Sequence, residues 1–239
     1  ALVGKYVKLH DSYLSIVEAL NHASFQVGCN IKIKWVDSDS VTDESAPSIF
    51  GDCAGIILPG GFGNRGIEGM IHACGYARTH KLPYFGICLG MQIAVIEFAR
   101  DVLGYADANS VEFNEMCEHP VIDLMKDQKG VIMGGTMRLG SYPCSVKEGT
   151  ILKEAYKSDL IDERHRHRYE FNNQFREEME QNGLVIGGTS PDGMLVEAVE
   201  LSKKDHPFYI GVQFHPEFKS RPNNAGKLFV EFVKACKKM

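Results

Sequence analysis

Gly86-Ile87-Cys88-Leu89-Gly90-Met91-Gln92 sets a cysteine between an apolar run and a helical run. Residues 83–87 read as a buried strand, and residues 92–100 (QIAVIEFAR) as an amphipathic helix. Glycines two residues either side of Cys88 let the backbone bend tightly and keep bulk away from the sulfur. The pattern is the thiol version of the G-x-S-x-G nucleophile elbow. A cysteine at a helix N-terminus faces unpaired backbone N–H groups and the positive end of the helix dipole. Both favour thiolate over thiol, and thiolate is the nucleophile. A lone cysteine is more often a small buried hydrophobe. The paired glycines and the strand–turn–helix context argue for the nucleophile instead.

Strand-like and helix-like segments alternate on both sides of the elbow. Strands are expected at residues 2–6, 31–36 and 54–58, and helices at 12–23 (apolar at Leu14, Val17 and Leu20) and 67–80. The Ser/Asp/Thr-rich residues 37–47 read as a loop. Residues 121–140 hold several glycines and are expected to be irregular strands and loops; residues 159–168 are highly charged. A short helix at 175–182, ended by Gly183, precedes strands near 184–187, 195–201 and 208–214 and a closing helix at 225–238. Alternation of this kind predicts an α/β fold with a mostly parallel central sheet flanked by helices. Neither a repeat nor a linker divides residues 1–239, so a single domain is expected.

Composition narrows the function. A chain of 239 residues with 44% hydrophobic content is long enough to bury a sizeable core. Net charge is −5 with mixed signs and no basic stripe, which argues against a nucleic-acid partner. No apolar run approaches the ~20 residues of a membrane span, and no signal peptide is visible. The seven cysteines, at 29, 53, 74, 88, 117, 144 and 236, include no C-x-x-C pair, so neither a zinc knuckle, a redox motif nor any other metal site is indicated. Such cysteine usage suits a reducing, cytoplasmic compartment. Because the chain starts at Ala1 and enters a strand at once, we expect further protein upstream.

A cysteine nucleophile needs a base, and the base needs an orienting partner. His215 and Glu217 in Gln213-Phe214-His215-Pro216-Glu217-Phe218 meet that need at the end of an apolar strand. Pro216 favours an extended His215. Residues two apart on an extended segment share a side, so Glu217 can hold one imidazole nitrogen while the other faces Cys88. His119-Pro120 and His206-Pro207 have similar form but no acid two residues on. Acyl transfer also needs an oxyanion hole. The amides of Gly61, in Pro59-Gly60-Gly61-Phe62-Gly63, and of Leu89 are the candidate donors. Gly61-Phe62-Gly63-Asn64-Arg65-Gly66 also matches the dinucleotide fingerprint G-x-G-x-x-G. No acid ends the following strand, which argues against that reading. No Walker motif is present, so ATP binding by this chain is not indicated.

Together these residues resemble the triad (class I) glutamine amidotransferases. Four segments narrow the likeness to the CTP synthase family: residues 59–71, Gly135-Thr136-Met137-Arg138-Leu139-Gly140, Arg164-His165-Arg166-His167-Arg168-Tyr169-Glu170-Phe171-Asn172, and Gln213-Phe214-His215-Pro216-Glu217-Phe218. Their loop details resemble eukaryotic versions. The resemblance implies a flavodoxin-like three-layer sandwich acting as the C-terminal glutaminase domain of a larger enzyme. Cys88 would attack the side-chain amide of L-glutamine, His215 would move protons, and Glu217 would hold His215. Gly61 and Leu89 would stabilise the oxyanion, with Gly90, Met91 and Gln92 also about the substrate and Gln92 seating its amide. Glu112 would contact the substrate ammonium and Arg168 its α-carboxylate. By the same resemblance an upstream synthetase domain, absent here, would use ATP and Mg2+ to aminate UTP; GTP would activate the enzyme, and the full protein would be a homo-tetramer. Two other readings stay open at this level: a different cysteine hydrolase such as a γ-glutamyl hydrolase, and a non-catalytic domain with a vestigial site.

Overall fold

Short strands of Val, Ile, Leu and aromatic residues supply the interior of the molecule. In the computed structural model, residues 1–124 and 137–239 are described. The first half runs β1 (Leu2–Gly4), α1 (Leu14–Val27), β2 (Trp35–Asp37), α2 (Ala46–Phe50), β3 (Ile56–Leu58), α3 (Ile67–Thr79), β4 (Tyr84–Ile87) and α4 (Leu89–Asp101). It continues through β5 (Asn109–Ser110), β6 (Pro120–Leu124), β7 (Arg138–Val146), α5 (Ile151–Tyr156), β8 (Leu160–His167), β9 (Tyr169–Phe171) and α6 (Arg176–Gln181). It ends with β10 (Leu184–Thr189), β11 (Val196–Leu201), β12 (Tyr209–Val212) and α7 (Lys227–Cys236).

Among the described residues one sheet has the order β2-β1-β3-β4-β12-β11-β10-β7-β8. It is parallel from β2 across to β12 and antiparallel from β12 to β8. A small sheet, β5-β6-β9, lies apart. The strand alternation sorts side chains into two apolar layers. Ile56, Leu58 and Tyr84 pack with α3 and α4 on one face; Leu2, Ile57, Phe85 and Ile87 pack with α1 and α7 on the other. Two helix layers around a largely buried parallel core are the predicted sandwich.

Three expectations change in detail. The loop expected at 37–47 carries a 3-10 turn at Ser38–Ser40, capped by the Asp37 side chain, and the first residues of α2. The charged segment 159–168 is strand β8, with Asp162, Arg164 and Arg166 exposed and Ile161, Glu163, His165 and His167 buried. Of the irregular stretch expected at 121–140, residues 125–136 lie outside the described residues, as do Gly135 and Thr136 of the 135–140 motif. The remainder is regular strand in β6 and β7.

Candidate active site

Cys88 ends β4 and caps α4, with φ 52° and ψ −100°. A side chain in that region is strained, and such strain persists only where surrounding structure enforces it. Here the Cys88 amide donates to Val212 O on β12 at 2.7 Å, while its carbonyl accepts from Met91 N (3.1 Å) and Gln92 N (3.2 Å). The cysteine itself takes the left-handed turn; neither Gly86 nor Gly90 has positive φ. Those glycines are required for another reason than the turn read from sequence. A Cβ on Gly86 would lie 2.6 Å from the Gly90 carbonyl, and one on Gly90 would lie 2.3 Å from Leu58 O. They let α4 sit directly on β3 and β4.

His215 follows β12, with Nδ1 2.7 Å from Glu217 Oε1. The pairing expected from sequence is present, but not through an extended segment. Pro216 opens a 3-10 turn, Pro216–Lys219, whose first turn brings Glu217 back under the ring. The His215 amide donates to Arg164 O on β8 at 2.7 Å, and Phe218 stacks on the imidazole at 4.8 Å. Gly60 lies against both partners: a Cβ there would be 2.9 Å from His215 Cε1 and 3.6 Å from Cys88 Cβ. Burial alone would discharge the imidazole. The negative charges of Cys88 and Glu217 outweigh it and hold the His215 pKa up at about 10. His215 therefore keeps its proton across neutral pH.

Cys88, His215, Gly60, Gly61, Phe62 and Arg166 line a cleft of about 430 Å³. Leu89 is the first residue of α4, so its amide has no acceptor within the helix. Gly61 packs over Leu89, with its Cβ position 3.2 Å from Leu89 Cδ2. The two residues that carry the candidate oxyanion donors are thus in contact at the elbow. Lys5 Nζ donates to Phe62 O (3.2 Å) and Gly63 O, and Glu112 Oε1 accepts from Gly63 N at 2.8 Å. The loop is pinned from both sides. Burial brings the Lys5 pKa down to about 8, although Glu112 opposes the fall. Gly63 and Gly66 take positive φ and Arg65 pairs with Asp39, which accounts for the G-x-G-x-x-G spacing as loop geometry.

The other sequence-assigned residues divide. Glu112 reaches the loop beside the cleft. Gly90, Met91 and Gln92 are buried on the inward side of α4, and none lines the cleft. The Gln92 amide nitrogen donates to Tyr169 O (3.1 Å) and Gln213 Oε1 (3.3 Å), so its side chain is engaged within the protein. Arg168 is half-buried in the bend between β8 and β9, whereas Arg166 is the guanidinium at the cleft, 5.9 Å above the Phe62 ring. Sequence reasoning missed Arg166, Gln213, Lys5 and Phe218. Period-two alternation along 160–167 was the signal for Arg166, since it turns Arg164 and Arg166 to the opposite side from His165 and His167.

Those two histidines form a polar core behind the site. His167 Nδ1 faces Tyr169 O at 3.0 Å, so it carries the proton; its Nε2 then accepts from His165 Nδ1, also at 3.0 Å. Burial pushes both imidazoles well down, His167 to about 3. Glu197 lies close enough to complete a donor set of metal-binding type, but Arg138 neutralises it at 2.6 Å. Both His167 nitrogens are already used, so we read the cluster as a tie between β7, β8 and β11.

A strained cysteine elbow, a buried His–carboxylate pair and a pinned glycine loop on an α/β sandwich define a cysteine-dependent amidohydrolase of the triad type. The chain belongs to the class-I glutamine amidotransferase family, whose model matches residues 8–235. It is 58% identical over 237 residues to CTP synthase of Clostridium beijerinckii and 57% identical over 236 residues to that of Clostridium kluyveri. These matches cover 99% and 98% of this chain but 44% of each relative, so the chain spans less than half their length. The glutaminase domain of Trypanosoma brucei CTPS with bound acivicin matches with a TM-score of 0.93 at 38% identity, covering 99% of this chain and 92% of that one. The curated relatives named are bacterial, so they lend no support to the eukaryotic character read from the loops.

Proposed function

We propose that this chain is the glutaminase half of a CTP synthase and that it hydrolyses L-glutamine to glutamate and ammonia. The observation that carries the reading is the buried His215–Glu217 pair, 2.7 Å apart, beside a cysteine held at a helix N-terminus. In the first half-reaction Cys88 Sγ attacks the amide carbon, and the resulting oxyanion meets the amides of Gly61 and Leu89. His215 passes its proton to the departing nitrogen, which leaves a γ-glutamyl thioester and neutral imidazole. His215 then takes a proton from water as that water attacks the thioester, and glutamate departs with the thiolate restored. Glu217 fixes the imidazole throughout. Glu112 is the group for the substrate ammonium, at the expense of its bond to Gly63 N. For the α-carboxylate we keep Arg168, with Arg166 the competing guanidinium because it already lines the cleft.

The ammonia would go to the half of the enzyme outside this chain, where ATP and Mg2+ would drive amination of UTP. GTP activation, assembly as a homo-tetramer and a cytoplasmic location belong to the same proposal. No helix among the described residues is long and apolar enough to cross a membrane.

Intact mass after exposure to a glutamine-mimicking diazoketone tests the reading. One adduct, lost in Cys88→Ala and suppressed by free glutamine, is the expected result. Protection by γ-glutamyl peptides in preference to glutamine would turn the assignment toward a γ-glutamyl hydrolase. An unreactive Cys88 in folded protein would point to a vestigial site.

A further inference from the structure

Next to Cys88, two buried amides form a chain that ends on the sulfur. Gln213 Nε2 lies 3.5 Å from Cys88 Sγ, and Gln213 is fully buried. Its Oε1 accepts from Gln92 Nε2 at 3.3 Å, and the same Gln92 nitrogen donates to Tyr169 O at 3.1 Å. Tyr169 O has no proton to give, so the NH2 of Gln92 must face it. That fixes Gln92 as donor to Gln213, which in turn leaves the NH2 of Gln213 facing the sulfur. Gln213 N donates to Glu197 O at 2.8 Å, which anchors its backbone to β11.

We propose that Gln213 is a catalytic residue: its amide donates a hydrogen bond to the Cys88 thiolate, and Gln92 is the positioning residue that orients it. The assignment rests on Cys88 being the nucleophile, as in the proposed function. It supplies a second donor to the sulfur, besides His215. His215 stabilises the thiolate only while protonated, and it surrenders that proton when ammonia leaves. A neutral donor stays in place through both half-reactions. When the thiolate departs in the second half-reaction, His215 has regained a proton from water, and Gln213 adds a second donor to a sulfur that otherwise lies 3.9 Å from the carbonyl of Arg166. Among the described residues, the titratable and charged groups that share the cleft with Cys88 are His215, backed by Glu217, together with Arg166, Tyr6 and Tyr13. Gln213 adds a donor without adding a proton that can be lost. The arrangement also gives Gln92 a role within the protein: it reaches the sulfur through Gln213.

The test is the pH dependence of iodoacetamide alkylation at Cys88, followed in the Cys88 peptide by mass spectrometry on the full chain. Hydrogen bonds to charged groups are worth about one pH unit or more of thiol acidity. In Gln213→Met the alkylation midpoint should therefore rise by about one unit. Gln213→Glu, of nearly the same shape, sets an acceptor against the sulfur and should raise it further. Gln92→Met should give a smaller rise, because it frees Gln213 to turn without removing it. If Gln213→Met does not fold, Gln213→Glu decides alone. An unchanged midpoint in a folded Gln213 variant overturns the proposal. Alkylation uses no glutamine, so a shifted midpoint in a chain that fails to hydrolyse glutamine would sustain this assignment while refuting the glutaminase reading.

Discussion

At the scale of single residues, the site is defined by one strained backbone and one charged pair. Cys88 holds φ 52°, a conformation that glycine adopts without penalty. Replacing it by Ala or Gly leaves the same missing sulfur, but only Gly removes the strain. Cys88→Gly should therefore be more stable than Cys88→Ala by about 1 kcal/mol in denaturant unfolding, with both inactive. Equal stabilities would show that the neighbouring bonds, not the backbone, set the energy. The His215 proton has a consequence of its own. With its pKa raised from 6.5 to about 10 in the fold, the proton needed for ammonia release is present at neutral pH and lost as pH rises through that value. Single-turnover ammonia release should stay level through neutral pH and fall as pH nears 10; an alkaline limb centred near 6.5 would contradict the ion pair. Stability follows the same direction. The contribution of this proton is complete below the unfolded value of 6.5 and fades as pH climbs to about 10.

At the scale of elements, close approach of backbones places the chemistry. The elbow depends on α4 lying against β3 and β4 with nothing between them. Gly90→Ala would drive a Cβ to 2.3 Å from Leu58 O and should cost about 2–3 kcal/mol in unfolding free energy. Gly60→Ala should behave differently. Its Cβ would meet the His215 ring at 2.9 Å in a loop rather than an element, so activity should fall more than tenfold with little loss of stability. A thermal melt and a glutaminase assay on both variants separate packing from positioning. Strand β8 contributes in a less visible way. Although last in the sheet order, it offers the carbonyl of Arg164 to His215 and that of Arg166 to Cys88. Its charged sequence concealed that role, because alternation turns three charged or polar side chains inward and three outward while the backbone does the docking.

At the scale of the whole molecule, the chain supplies an active site but spans 44% of its CTP synthase relatives. The cleft is open to solvent around Arg166 and Phe62, and the Gly63 amide holds the Glu112 carboxylate that the substrate ammonium would claim. The chain alone should thus be a sluggish glutaminase. Supplying the remaining half of the enzyme should raise kcat/KM more than tenfold, and a rate for this chain equal to that of a complete enzyme would refute the dependence. Much of this was legible beforehand. The alternation of segments, Cys88 with its glycines, the His215–Glu217 pair and the Gly61 loop all follow from local rules of turn chemistry and periodicity. The antiparallel half of the sheet, the helices α2 and α5, and the Gln92–Gln213–Cys88 chain were not legible. Each depends on contacts between segments far apart in sequence; Gln213 and Cys88 are 125 residues apart and meet only because β12 lies parallel beside β4. Residue types and spacing were enough to propose a nucleophile and a base for this protein, because nucleophile elbows and His-Pro-acid turns are local. Which neutral groups reach the sulfur, and which arginine reaches the cleft, was decided by the pairing of distant strands, since a hydrogen bond depends on distance and direction that spacing along the chain does not encode.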